Sequence, residues 1–232
     1  MQSLLQNVSL LRKLSLLFGP AHRPSANVVR RLLLRSSSAQ LPKSGLETLG
    51  IMHPHWFSAS SDVQRKLVSL FIHSLTPTTL SSTPSAATSA FEKELHYTRS
   101  SHDVAALLRW GLRHLTLENG HFGKDSTEWA WYTTFFQSER NASYPPKAFS
   151  ELLLPQLPAS HIELLTVTLD LISSLAAHAE TNGISGSKLS KFLGIWLLVA
   201  TRAEESDDWS RFYARWERAG RILEHLFLAH LR

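Results

Sequence analysis

The run 157–198, LPASHIELLTVTLDLISSLAAHAETNGISGSKLSKFLGIWLL, constrains the fold more than any other part of the chain. After a Leu-Pro entry, Ile162, Leu165, Leu169, Ile172, Leu175 and Ala179 recur every three or four residues. That spacing predicts a long amphipathic helix with one face against a core. Thr181-Asn182-Gly183 predicts its end, because Gly or Asn readily takes the left-handed conformation that closes a helix. A short Ser/Gly-rich loop at 185–187 and a second apolar run, 189–200, predict a second helix packed on the first.

The remaining segments repeat the helical period. Val63, Leu67, Leu70, Phe71 and Ser74 share a side of 63–75, and Phe91-Glu-Lys-Glu-Leu opens another short helix. Ser101-His102-Asp103 starts the run VAALLRWGLRHL, with Ser101 or Asp103 able to cap its first amides. Further helices are expected over 128–136, over 147–154 up to Pro155, and over 207–231, where Trp209, Phe212, Trp216, Ala219, Ile222, Leu223, Leu226 and Phe227 recur at three and four. No segment alternates with the period of a strand, so the fold class is all-α.

Bulk properties exclude several functions. At 232 residues, the chain suits one domain with a full core. It has no cysteine, which removes disulfides, thiolate metal sites and cysteine nucleophiles. A net charge of +5 is too mild to imply nucleic-acid binding. No uninterrupted apolar stretch of about 18 residues predicts a membrane span. The twelve histidines form no convincing metal-ligand spacing, and Gly183-Ile-Ser-Gly186 lacks the Gly-Lys-Ser/Thr ending of a phosphate loop. No metal, cofactor or enzymatic activity of its own is expected.

Charge divides the chain. Residues 1–46 carry seven Lys/Arg and no acid, and are rich in Leu and Ser. That composition is shared by mitochondrial transit peptides and by a basic first part of a domain, and both readings stay open. Residues 47–232 form the expected helical domain, with a Ser/Thr/Pro-rich insert at 76–90, TPTTLSSTPSAATSA, that should be exposed. In the run from His102 to Leu115, Val104, Leu107, Leu108, Leu112 and Leu115 point inward, while Arg109 and Arg113 lie four apart on one face. A solvated basic edge and a binding face have this same spacing.

The order of Leu-Pro, helix, Asn-Gly stop, short loop and second helix ending in Trp-Leu-Leu resembles the back half of a RhoGAP domain. The wording AAHAETNGISGSKLSKFLGIW is similar, more narrowly, to the RhoGAP-like domain of the fungal multicopy-suppressor-of-budding proteins, a family of meiotically up-regulated and morphogenesis proteins. The resemblance spans about 91–232 and implies a RhoGAP-like helical bundle. It includes a helix of the form H-x-V-A-x-L-L-K-x-x-L-R-x-L, in which the Lys and Arg contact the GTPase. Arg109 and Arg113 stand at those two positions. Where RhoGAP domains read N-L-A-x-x-F-G-P-x-L, this chain has Lys188 for the Asn and Ile195 for the Pro; the budding-suppressor proteins also read K-L-S and G-x-W. The ending, Trp216-x-x-Ala219 and Leu226-Phe-Leu-Ala-His-Leu-Arg232, resembles that family's W-x-x-A and H-L-F-x-A-Y-L-R. The F-R-x-S-G finger pattern is met loosely by Phe18-Gly-Pro-Ala-His-Arg23-Pro-Ser25, which makes Arg23 the candidate arginine finger.

The resemblance implies a Rho-family GTPase-binding regulator of polarised growth, morphogenesis or cell-wall signalling, with Arg109, Arg113 and Lys188 on the binding face. Pro24 restrains Arg23 to extended backbone and Lys188 replaces a supporting Asn, so weak or absent GTPase activation is expected. The alternatives are an active GTPase activator using Arg23, and a mitochondrially targeted protein with a vestigial helical domain. Partners implied are a Rho-family small GTPase and polarity scaffold proteins, with no nucleic acid. The implied location is cytoplasmic, at the cell cortex or bud site, or mitochondrial on the transit reading.

Overall fold

Burial of helical apolar faces organises the computed structural model, which describes residues 43–53, 59–74, 86–115, 117, 121–124, 127–198 and 208–232. The described elements are α1 (Lys43–Leu46), α2 (Ser61–Ser74), α3 (Ala86–Tyr97), α4 (Ser101–Arg113), α5 (Ala130–Asn141), a π-helical turn (Phe149–Leu153), a 3-10 turn (Leu154–Gln156), α6 (Ala159–Ala176), α7 (Ala179–Asn182), α8 (Gly186–Leu198) and α9 (Trp209–Leu231). Among the described residues there is no strand. The all-α expectation holds there.

At the centre is α6. His161, Leu164, Leu165, Thr168, Leu169, Leu171, Ile172 and Leu175 are buried on it. It is also long and apolar enough to cross a membrane by length and composition alone; in this fold it is a core helix that packs on α8 and α9. Its end differs from the sequence expectation. The helix stops at Ala176 rather than running to Asn182, and a separate turn, α7, follows. Asn182 explains the break. Its Nδ2 donates to the Leu175 carbonyl at 2.8 Å, the carbonyl that Ala179 would need to continue the helix. Gly183 then takes φ +74°, the left-handed cap that the Asn-Gly pair predicted.

From there the chain turns into α8. Ser185 Oγ accepts from the Lys188 amide at 3.3 Å and its carbonyl accepts from the Leu189 amide at 3.0 Å. α8 runs antiparallel to α9, with Gly186 against Phe227, Lys191 against Gly220 and Gly194 against Ala219. A Cβ on Gly194 would lie 2.6 Å from the Ala219 carbonyl oxygen. Only glycine lets the two backbones come so close.

Three other expectations are corrected. Residues 86–90 of the expected insert belong to α3, since its Ala-rich start favours helix; residues 75–85 lie outside the described residues. The helix expected over 147–154 is instead the π turn followed by the 3-10 turn, because Pro155 supplies no amide and cannot extend an α-helix. No side chain caps α4. Asp103, buried on α4, accepts instead from the Ser60 amide at 2.7 Å, and thereby fixes the start of α2.

At the far side, α5 and α9 share a buried carboxylate. Glu139 is fully buried, pairs with Arg232 and has His225 Nε2 at 2.8 Å. His225 Nδ1 in turn lies 3.1 Å from the Tyr132 hydroxyl, whose pKa is raised by burial first and by Glu139 second. Arg218 stacks 4.8 Å over the Trp129 ring.

Two substitutions test this arrangement. Asn182→Ala strands the Leu46 carbonyl and the Ile184 amide and takes one of two donors from the Leu175 carbonyl, and should cost at least about 2 kcal/mol in denaturant unfolding. Gly194→Ala should cost about 1–3 kcal/mol by forcing α8 and α9 apart. Unchanged midpoints for both would contradict the described packing.

Candidate functional site

α4 presents an inner apolar face and an outer basic one. Val104, Ala105, Leu107, Leu108, Gly111 and Leu112 are buried, which leaves His102, Arg109 and Arg113 toward the rim. α4 also packs on α8. At their contact, the guanidinium of Arg113 lies 5.2 Å from the centroid of the Trp196 ring. That is cation–π range. Trp196 belongs to a stripe on α8 with Lys188 and Phe192, spaced at four and eight residues. The Phe192 ring meets His53 edge-on, with centroids 5.5 Å apart.

His53 closes the arrangement. Arg109 Nη1 donates to the carbonyl oxygens of Met52, at 3.3 Å, and His53. The donated segment is an unusual turn. Gly50 has φ +69° and Met52, buried, has φ +65°. A non-glycine residue with positive φ persists only when its surroundings hold it there. Two restraints do so here: the Gly50 amide donates to the Asn182 carbonyl at 2.8 Å, and Arg109 holds the carbonyls of Met52 and His53.

The electrostatics follow from burial. Arg109 is half-buried, and desolvation followed by the neighbouring Arg113 charge brings its pKa down to about 10. It stays charged at neutral pH. Arg113 is exposed as a residue, but its guanidinium is covered enough by its surroundings, the Trp196 ring among them, for desolvation to lower its pKa. His102 lies below the usual imidazole value of 6.5, first from burial and then from Arg109, with Asp103 opposing.

Of the site residues read from the sequence, Arg109 and Arg113 are brought together beside α8. Lys188 is exposed and shares the α8 stripe with Phe192 and Trp196. Arg23 lies outside the described residues. Arg109 also has a structural task that spacing alone did not reveal, as the clamp of the 50–53 turn. Trp196, Phe192 and His53 were missed. The four-residue ladder 188, 192, 196 was the available signal for the first two; the His53-Pro-His55 spacing suggests only a weak metal pair, and nothing in the sequence points to the contact of His53 with Phe192. Among the described residues, no group of His, Asp and Glu could hold a metal.

The His102 shift has a pH consequence. Its folded-state pKa is below the unfolded one, so the unfolded chain binds the proton more readily and stability rises with pH across that window. Acidification from pH 7 to pH 5 should therefore lower the melting temperature, and His102→Gln should reduce that loss. An equal loss in the variant would assign it to other groups.

Comparison with known proteins adds the family. A model described as the meiotically up-regulated protein Msb1/Mug8 domain matches residues 30–232, a span that includes Arg109, Arg113 and Lys188 and leaves Arg23 outside. No curated protein sequence matches the chain. The chain belongs to the Msb1/Mug8 domain family, and membership implies a meiosis- and morphogenesis-related protein.

Proposed function

We propose that this member of the Msb1/Mug8 family binds a Rho-family small GTPase through the α4–α8 surface, as a regulator or scaffold in polarised growth. The carrying observation is the pairing of two arginines with an aromatic stripe: Arg113 over Trp196, and Arg109 tied to the turn whose His53 meets Phe192. Arginine set on aromatic rings suits a partner surface that combines acidic and apolar groups. Under this reading, the bundle is RhoGAP-like, and the H-x-V-A-x-L-L motif of α4 supports it. The location that goes with it is the cytoplasmic face of the cell cortex, with polarity scaffold proteins as further partners.

On this reading the chain is not itself an enzyme and activates the GTPase weakly or not at all. A trans-acting arginine speeds GTP hydrolysis by roughly 10³ to 10⁵ when rigidly presented. Arg109 cannot serve in that way while it clamps the 50–53 turn. Arg23 precedes Pro24, in a segment whose sequence meets the finger pattern only loosely, and lies before the family match.

A pull-down against a Rho-family panel tests the binding. Each GTPase is loaded with a GTP analogue, or with GDP plus aluminium fluoride, which mimics the transferring phosphoryl group. Binding to at least one GTPase is expected, with Arg113→Glu plus Lys188→Glu weakening it at unchanged helical content. Equal binding by the double variant would remove this surface from consideration.

Single-turnover GTP hydrolysis tests the catalytic half. Hydrolysis within a few-fold of the intrinsic rate is expected. Strong acceleration that disappears in Arg23→Ala and survives Arg30→Ala would establish an active GTPase activator with Arg23 as its finger.

A further inference from the structure

Arg109 and Arg113 form an uncompensated cationic pair. Among the described residues, no carboxylate pairs with either: Arg109 contacts backbone carbonyls and Arg113 contacts an aromatic ring. Both bonds of Arg109 come from Nη1, so its Nε–H and Nη2–H edge donates to no described atom. Arg113 lies over the Trp196 ring, and its N–H groups likewise make no hydrogen bond to a described residue. Two guanidinium groups thus come from residues one helical turn apart, and each retains donors for an anion. The ordinary compensation for such crowding is an acid three or four residues away, yet Ala105, Ala106, Trp110 and Leu112 occupy those places on α4.

We infer that this pair is a binding site for a phosphomonoester on a protein partner, a phosphoserine or phosphothreonine side chain. A carboxylate has two oxygens and one charge, enough for one fork. A phosphomonoester has three terminal oxygens and about −1.5 to −2 charge at neutral pH, which matches two forks and two cations. The surroundings favour a protein segment over a lipid surface. Phe192 and Trp196 are half-buried beside the pair, and none of the exposed large apolar side chains lies on α4 or α8. A membrane surface would need apolar groups that project, whereas a peptide can lay its flanking residues on recessed rings. The inference concerns the chemistry of the pair and holds whether or not the partner is a GTPase.

Fluorescence anisotropy on the full chain tests it, with a labelled degenerate phosphoserine/phosphothreonine peptide pool and the same pool unphosphorylated. The phosphorylated pool should bind about tenfold tighter or more, and millimolar inorganic phosphate should compete. Arg113→Gln should remove most of that preference, because Arg113 holds no backbone group and its loss leaves the 50–53 clamp in place. Arg109→Lys keeps the charge, loses the fork and should reduce the preference several-fold. Far-UV circular dichroism confirms that both variants fold. Equal affinity for the two pools overturns the inference, as does a preference unaffected by Arg113→Gln. Binding to vesicles containing phosphatidylserine or phosphoinositides without a phosphopeptide preference also overturns it, and assigns the pair to lipid headgroups. None of these results depends on the GTPase pull-down, so the two readings fail separately.

Discussion

The carboxamide of Asn182 joins three segments of this structure. It is fully buried, and each of its polar atoms is used: Nδ2 donates to the carbonyls of Leu46 and Leu175, and Oδ1 accepts from the Ile184 amide. Its own carbonyl accepts from Gly50 and its amide donates to His178. One residue therefore ends α6, shapes the entry to α8 and anchors the segment that precedes α2. A buried amide is tolerated only when its hydrogen bonds are made, and a fully satisfied one specifies geometry that apolar packing would leave loose. The 50–53 turn inherits that geometry. Without the anchor at Gly50, the positive φ of Met52 would lose one of the restraints that hold it, and the carbonyls offered to Arg109 would be less firmly placed.

α8 carries the second constraint, since its opposite sides serve different purposes. On one, Gly194 admits the backbone of α9. On the other, Phe192 and Trp196 meet His53 and Arg113. Interiors are close-packed, so a helix displaced on one side moves on the other. The glycine contact with α9 thus helps to set how far Trp196 stands from α4, although neither glycine nor α9 touches the basic pair. The Arg232–Glu139–His225 cluster secures the distal end of α9 in the same sense, because a buried carboxylate that loses its partners is strongly destabilising.

Much of this was legible in the chain and some was not, for identifiable reasons. The periodicities of α4, α6, α8 and α9 are local and survive translation into structure. So does the left-handed Gly183. Arg109 and Arg113 were legible as neighbours because helical spacing is geometric. Hidden from view were contacts between segments distant in sequence: Asp103 with Ser60, Asn182 with Leu46, Arg109 with Met52 and His53. Nothing in a single sequence reports which far residue supplies a partner. The early stop of α6 was hidden for another reason: apolar spacing continues to Ala179, and the Leu175 carbonyl is taken by the His178 amide and the Asn182 side chain instead. The family assignment rests on wording rather than on physics, and the match to residues 30–232 extends it well before the motifs that first suggested it.

The cationic pair bears on how function and stability divide in this fold. Burying a charge costs free energy: desolvation lowers both guanidinium pKa values, and the Arg113 charge adds to the lowering for Arg109. Arg109 recovers part of that cost through the turn it clamps. For Arg113, the ring contact is the only compensation among the described residues, and exposed cation–π pairs contribute about 0.5–1 kcal/mol. An uncharged residue at 113 would pack on Trp196 without the repulsion from Arg109. A residue that raises the energy of its own helix face, on an otherwise consistently packed structure, is the kind of local conflict that marks sites kept for binding. That argument applies to Arg113 with more force than to Arg109, whose removal would also release the 50–53 turn. The two arginines are alike in sequence spacing and unlike in what they hold: Arg109 clamps the 50–53 turn through Nη1, while Arg113 contacts the Trp196 ring and holds no backbone group.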